Sequence, residues 1–415
     1  MNAFAQVFLV LALAALAWRI LLLVRQARHV AAHRGQVPGA FADIVSPEAH
    51  RKAAHYTLDK VRVALVEAVA LDGFLLLALA LGGGLAAIDA FATRALGAGY
   101  ARDLATVFAV AVVSAAASLP FDLWRTFGIE ARHGFNKTTP AVFAIDLAKG
   151  MALAVALGAP LLLLVFWLLD IAGPWWWLYA WGAWVAFTLV LTAIFPRWIA
   201  PLFNRFTPLE EGELRTRIES LVRRCGFQVE SLFVMDGSKR SSHGNAYFTG
   251  FGRSKRIVFF DTLVERLTPP EIEAVLAHEL GHHARGHIPR MLGVRFALAL
   301  VLLAALGWAA ASPWFAAALG VQASHRGALL AGFFLVVPAF TFVFQPLASL
   351  LSRRHEFEAD RYAAQHARAD DLVSALAKLY RDNASTLTPD PLHSLVYDSH
   401  PPAAIRIAHL KASTP

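Results

Sequence analysis

Seven stretches of this chain are long and apolar enough to cross a bilayer: residues 3–24, 61–88, 104–121, 148–170, 176–196, 291–312 and 327–350. A spanning helix needs about 20 mostly apolar residues to cross about 30 Å of hydrocarbon. In lipid the backbone amides must pair within the segment, so these stretches are read as helices. Composition agrees: 57% of the 415 residues are hydrophobic and 16% are charged, which excludes disorder and a fold solvated wholly by water. The first stretch has only Met1 and Asn2 ahead of its apolar run and continues past Arg19 through 20–24. It therefore reads as a retained span rather than a cleaved signal peptide. Pro120 and Pro196 lie at or near the ends of the third and fifth stretches, whose limits are the least defined.

The loops set an orientation. Residues 25–60 hold six Lys/Arg and 122–149 hold four, whereas the alternate loops carry Arg94 and Arg102, none at 171–175, and Arg326 alone. Cytoplasmic loops are the ones enriched in Lys and Arg. The N-terminus is thus expected outside, with 25–60, 122–149, 197–290 and the C-terminal tail in the cytoplasm. That makes the chain a multi-pass integral membrane protein, of the bacterial cytoplasmic membrane or, in a eukaryote, of the endoplasmic reticulum. The formal charge of +8 belongs to these loops, and no nucleic-acid partner is expected. Cys225 is the single cysteine, so no intramolecular disulfide exists.

Four parts follow. Residues 1–196 hold five spans, 197–290 a polar catalytic segment, 291–352 the last two spans, and 353–415 a second polar segment on the same side. The fold class is mainly α and polytopic, with about seven spans and, given His278-Glu279-Leu280-Gly281-His282, a zincin-type catalytic part containing a small β element. Within the second span, Glu67 and Asp72 are too polar for lipid. They read either as a pair satisfied by neighbouring helices or as the lining of a polar chamber.

The strongest chemical signal is His278-Glu279-Leu280-Gly281-His282. It follows Thr268-Pro269-Pro270-Glu271, a capping box with prolines in the first turn. Ile272, Val275, Leu276 and Leu280 continue at helical spacing. His278 and His282, four apart, lie one turn apart on one face and can both reach one zinc ion. Glu279 beside them can hold and deprotonate a water. A metzincin would need glycine at 285 and histidine at 288, where this chain has Arg285 and Ile288. His283 and His287 project off the ligand face and read as outer contacts of the site or of lipid headgroups. The third ligand is sought at 353–364, where Glu356 and Asp360 share a helix face. Glu356 can ligate zinc while Asp360 orients a histidine ring. Glu358 points elsewhere and reads as a surface or ion-pair residue. A metal transporter would place its ligands inside spans, and these lie outside them. Through 286–289 the motif helix is expected to run straight into the sixth span, which puts the zinc near the cytoplasmic interface.

Segments 232–235, 245–248 and 256–260 alternate as strands, with turn chemistry at Asp236-Gly237 and Gly250-Phe251-Gly252. The pattern allows an edge strand that pairs with an extended peptide, or a strand pair closed by its own hairpin. His400 precedes Pro401 and Pro402, which hold it in a rigid turn. Its imidazole can face a developing oxyanion or belong to a surface loop.

Five motifs in order resemble those of the type 1 CAAX prenyl proteases, integral-membrane zinc metalloendopeptidases. They are 129–139 (Ile129 to Thr139), 239–248 (Lys239 to Phe248), the His278–His282 motif, the Glu356/Asp360 motif and Ser399-His400-Pro401-Pro402. The resemblance runs over most of the chain and implies a seven-helix barrel around a large chamber. It implies one zinc per chain held by His278, His282 and Glu356, with Glu279 as the catalytic glutamate. Asp360 matches a proton donor or an orienting residue, Asn245 an edge-strand residue that positions substrate, and His400 and Arg406 residues that contact the peptide near the scissile bond. The implied partners are the bilayer and a prenylated or membrane-tethered peptide or protein, from which a C-terminal tripeptide is removed. Quality-control proteolysis of damaged membrane proteins is the neighbouring alternative.

Overall fold

The structure, a computed structural model, describes residues 1–228, 231–249 and 256–412. Seven helical stretches are long and apolar enough to span: Ala3–His33, Pro47–Ala80, Tyr100–His133, Pro140–Ile171, Gly173–Phe203, His287–Ala310 and Arg326–His366. Large apolar side chains such as Val10, Phe74, Trp308 and Phe334 point outward from them, as lipid-facing residues do. Inward-facing Phe8, Leu85, Phe166, Phe315 and Leu330 belong to the largest apolar cluster.

Several boundaries differ from the sequence reading. The second span was expected at 61–88, yet its helix stops at Ala80 and a separate helix, Gly84–Leu96, follows. The cause is the run Gly82-Gly83-Gly84, where helix propensity is lowest. The third span does not end at Pro120 but continues through it into a π-helical turn, Trp124–Glu130. Pro196 sits inside another such turn, Phe195–Ile199. A proline lacks the N–H that an α-helix requires, and at Pro196 the locally rewound ladder contains the residue whose N–H is missing.

A third π-helical turn, Ala68–Leu75, settles what Glu67 and Asp72 do. Five residues apart, they would diverge on an α-helix, but the i→i+5 ladder brings them toward one face. Arg19 of the first span pairs with Asp72 and lies 3.7 Å from Glu67, which also binds Arg125 of the third span. Of the two readings left open above, the pair satisfied by neighbouring helices describes these contacts.

Outside the spans, residues 206–280 and 362–410 share one apolar core around Ile218, Leu221, Phe259, Leu276, Leu372 and Leu410. The sheet has four strands, β1 (Phe206–Pro208), β2 (Ser231–Met235), β3 (Ala246–Thr249) and β4 (Arg256–Phe260), in the order β1-β2-β4-β3. β2 and β4 are parallel and the outer pairs antiparallel. The three-residue β1 is too short to leave a pattern in sequence. Asp236-Gly237 leads into a tight 3-10 turn, Gly237–Lys239. The expected turn at Gly250-Phe251-Gly252 lies outside the described residues.

The motif helix is Pro269–Ala284. Its capping box forms as expected, with Thr268 N–H donating to Glu271 at 2.8 Å. Glu271 also holds Lys378 at 2.6 Å, which ties the helix start to the helix Ala369–Asp382. The helix does not run straight into the sixth span. Gly286 has φ 67°, a left-handed conformation that glycine adopts without strain, and the chain turns there before His287.

Candidate metal centre

Two helices from distant parts of the chain build the site. The motif helix packs along the helix Gln345–His366, which continues the seventh span after a 3-10 turn at Phe342–Phe344. Their approach is close because Gly281 faces the partner: a Cβ there would meet Ala359 Cα at 3.0 Å and Tyr362 Cβ at 3.0 Å. A bulkier residue would push apart the two backbones that carry the site.

His278 Nε2 and His282 Nε2 face one another at 3.2 Å. Glu356 Oε1 is 3.3 Å from His282 Nε2, and its Oε2 is 3.5 Å from His278 Nε2. A tetrahedral ion with ligands at about 2.0–2.1 Å separates those ligand atoms by about 3.3 Å. The two imidazole nitrogens have the separation such an ion requires, each Glu356 oxygen lies at a comparable distance from one of them, and one donor atom per residue can be chosen so that all three lie within 4.8 Å of one another. The N, N, O donor set suits zinc. His278 and Glu356 are buried and His282 is half-buried. Glu279 is also half-buried and makes no ion pair among the described residues, which leaves its carboxylate available beside the triangle.

Around the triangle, each imidazole is held from behind. His278 Nδ1 lies 2.9 Å from Asp360 Oδ1, so Nδ1–H donates to the carboxylate and the Nε2 lone pair faces the ligand triangle. Arg406 grips Asp360 through Nε at 2.9 Å and Nη2 at 2.5 Å, and its Nη1 is 3.3 Å from Glu356. Burial opposes the charged form of His278, but the hydrogen bonds to Asp360 and Glu356 outweigh it and push its pKa up to about 9 in the metal-free site. His282 Nδ1 is 3.0 Å from His287 Nδ1, and His287 Nε2 is 3.0 Å from Glu358. His287 thus returns to the back of His282 because of the turn at Gly286, which helical periodicity alone could not reveal. Glu358, read as a surface or ion-pair residue, is the anchor of this second chain. His283 instead packs its ring 4.1 Å from Phe248 of β3.

The remaining candidates are placed as follows. His400 Nδ1 is 2.7 Å from Glu356 Oε2, with a side chain 61% exposed. Arg353 holds the segment before it by donating to the carbonyls of Ser394, Leu395 and Asp398 at 3.0–3.1 Å. Arg406 is buried and its guanidinium is engaged with two carboxylates. Asn245 stands apart from this cluster. It is exposed at the start of β3, and its side chain accepts from Ala246 N–H at 2.9 Å. β3 is an edge strand, paired on one side with β4.

Comparison with known proteins extends this picture. Residues 26–205 match the family described as "CAAX prenyl protease N-terminal, five membrane helices", and 208–414 match "Peptidase family M48". A CAAX prenyl protease 1 homolog of Homo sapiens is 32% identical, with 95% of this chain aligned to 92% of the relative. One from Arabidopsis thaliana is 40% identical over 70% of this chain and 68% of its own length. The crystal structure of S. mikatae Ste24p superposes with a TM-score of 0.92 at 30% identity, covering 99% of both chains. With seven spans arranged as in Ste24p around a membrane chamber, the chain belongs to peptidase family M48, as an integral-membrane metalloprotease of the CAAX prenyl protease 1 type.

Proposed function

We propose that this protein removes the C-terminal tripeptide of prenylated C-a-a-X proteins, using one zinc ion held by His278, His282 and Glu356. The supporting observation is the cluster of His278 Nε2, His282 Nε2 and the Glu356 carboxylate, with the two nitrogens 3.2 Å apart and a different carboxylate oxygen 3.3–3.5 Å from each of them. Bound zinc supplies Lewis acidity toward the scissile carbonyl and acidifies water. Glu279 takes the proton of the attacking water and passes it to the leaving amine. Asp360 and the His287–Glu358 pair fix the tautomers and ring planes of His278 and His282, and Arg406 acts through Asp360 as a positioning residue. His400, exposed beside Glu356, is placed to donate to the oxyanion that develops on the scissile carbonyl. Asn245 and the free edge of β3 hold the substrate in extended form.

A prenylated C-a-a-X peptide incubated with zinc-loaded protein should release the intact tripeptide, as read by mass spectrometry. Scattered cuts in damaged membrane proteins, without tripeptide release, would support quality-control proteolysis instead.

We also propose that 197–290 and 353–415 form the catalytic part and face the cytoplasm, following the Lys/Arg-rich loops at 25–60 and 122–149. In a background with Cys225 replaced by serine, a membrane-impermeant thiol reagent added from the cytoplasmic side should label cysteine at Gly212 or Ala412 and not at Ala98. Cytoplasmic labelling of Ala98→Cys would reverse the orientation.

A further inference from the structure

A cavity of about 500 Å³ opens beside His400. One wall comes from the first two spans, with Leu23, Val61 and Ala64, and the other from Tyr380, Tyr397 and the turn at 398–402. That turn is fixed in place. Besides the three carbonyl contacts from Arg353, the helix Pro391–Tyr397 is capped by Asp390, which pairs with Arg25 of the first span at 3.0 Å. The cavity therefore joins the metal centre to the membrane helices and is built from rigid elements.

Lys60 is the cation in its lining. The arginines around this region are engaged: Arg406 by Asp360 and Glu356, Arg353 by backbone carbonyls, Arg25 by Asp390 and Arg19 by Asp72. The Lys60 ammonium lies 4.2 Å over the Tyr56 ring and has no ion pair among the described residues. The neighbouring acid, Glu130, accepts from the Tyr56 hydroxyl, faces His243 at 3.4 Å and attracts the Lys60 ammonium from beyond ion-pair distance, which leaves the ammonium able to take a closer anion. Asp398, two residues before His400, also lines the cavity and supplies it with a negative charge. A small peptide with a free C-terminus would enter with its carboxylate directed away from Asp398 and toward Lys60.

We propose that Lys60 receives the C-terminal carboxylate of the substrate, so that the enzyme selects its scissile bond by distance from the chain end. The inference rests on the tripeptide-releasing activity proposed above. Three extended residues span about 10 Å, a length that a cavity of this volume can hold. The apolar wall of Leu23, Val61 and Ala64 then faces the aliphatic side chains between scissile bond and carboxylate.

The test compares two prenylated peptides identical except for a C-terminal acid or amide. A charge-assisted contact in a partly desolvated cavity should favour the acid by about 10- to 100-fold in kcat/KM, mainly through KM. Lys60→Met should bring the acid-to-amide ratio close to one, and Lys60→Arg should retain most of it. The same ratio should appear without turnover, as the Kd of the tripeptide acid against its amide measured by calorimetry. Because both ligands meet the same protein sample, a purely structural role for Lys60 on the Tyr56 ring would leave the ratio unmoved. Equal cleavage of both peptides by the unaltered protein, or a preference that survives Lys60→Met, overturns the inference. Cleavage of neither peptide overturns the tripeptide-releasing reading, and this one with it.

Discussion

Alanine at His278, His282 or Glu356 should abolish zinc binding and activity together, while Glu279→Gln should keep the metal and lower kcat by about 10²- to 10⁴-fold, the usual range for a lost general base. The separation follows from geometry. The first three residues cluster their donor atoms within 4.8 Å of one another, whereas Glu279, next to His278 on the same helix, makes no ion pair among the described residues. Metal analysis of the four purified variants distinguishes the roles, and full zinc in Glu356→Ala would remove it from the ligand set. Loading also depends on pH in a defined direction. With His278 pushed up to about 9 in the metal-free site, zinc must displace a proton from it at neutral pH. Competition with a zinc-binding dye should show affinity rising with pH, by up to about tenfold per unit from this group, until about pH 9. Stability of the metal-free protein should slope the other way. The folded pKa lies above the ordinary histidine value of about 6.5, so the contribution is complete below that pH and is lost as pH rises through about 9.

Arg406→Ala should be the most destabilising single change outside the ligand set. Asp360 is fully buried, and Arg406 supplies it with two hydrogen bonds and also faces Glu356. Removing the guanidinium leaves two carboxylates in a closed site without their counter-charge. Breaking a buried pair from one side costs about 3–5 kcal/mol. Arg406→Lys should recover only part of this, since an ammonium cannot reproduce the fork that grips both oxygens of Asp360. Thermal unfolding in detergent, with and without zinc, measures the loss. An unchanged melting temperature for Arg406→Ala would show that the network is dispensable.

What could be read from sequence was whatever is encoded locally. The capping box at Thr268 and Glu271 and the four-residue spacings of His278/His282 and Glu356/Asp360 each lie within one helix. The seven spans announced themselves by sheer length of apolar chain. Features that depend on backbone departures were hidden. Regular periodicity carries the motif helix past Gly286, so His287 reads as an outer contact of the site and Glu358 as an ion-pair residue, but their pairing with each other behind His282 is not legible. The same assumption separated Glu67 from Asp72, which a π-helical turn brings together. β1 spans only Phe206–Pro208, too few residues for any alternation, and owes its existence to β2. The anchoring of His278 by Asp360 and Arg406 joins helices separated by 128 residues in the chain, a proximity that only tertiary packing creates.

That separation has a temporal meaning during synthesis. His278 leaves the ribosome with its neighbours long before the residues that complete its surroundings, and two hydrophobic spans must be threaded in between. At about 5–20 residues per second, the 128 residues from His278 to Arg406 occupy about 6–25 s of translation. For the first 78 of those residues, from His278 to Glu356, the growing polypeptide carries a histidine pair with no Glu356 opposite, and to the end of the interval it lacks the buried Arg406 that seats Asp360 and Glu356. A hydrolase born among other nascent membrane proteins thus stays inert until its own insertion is finished.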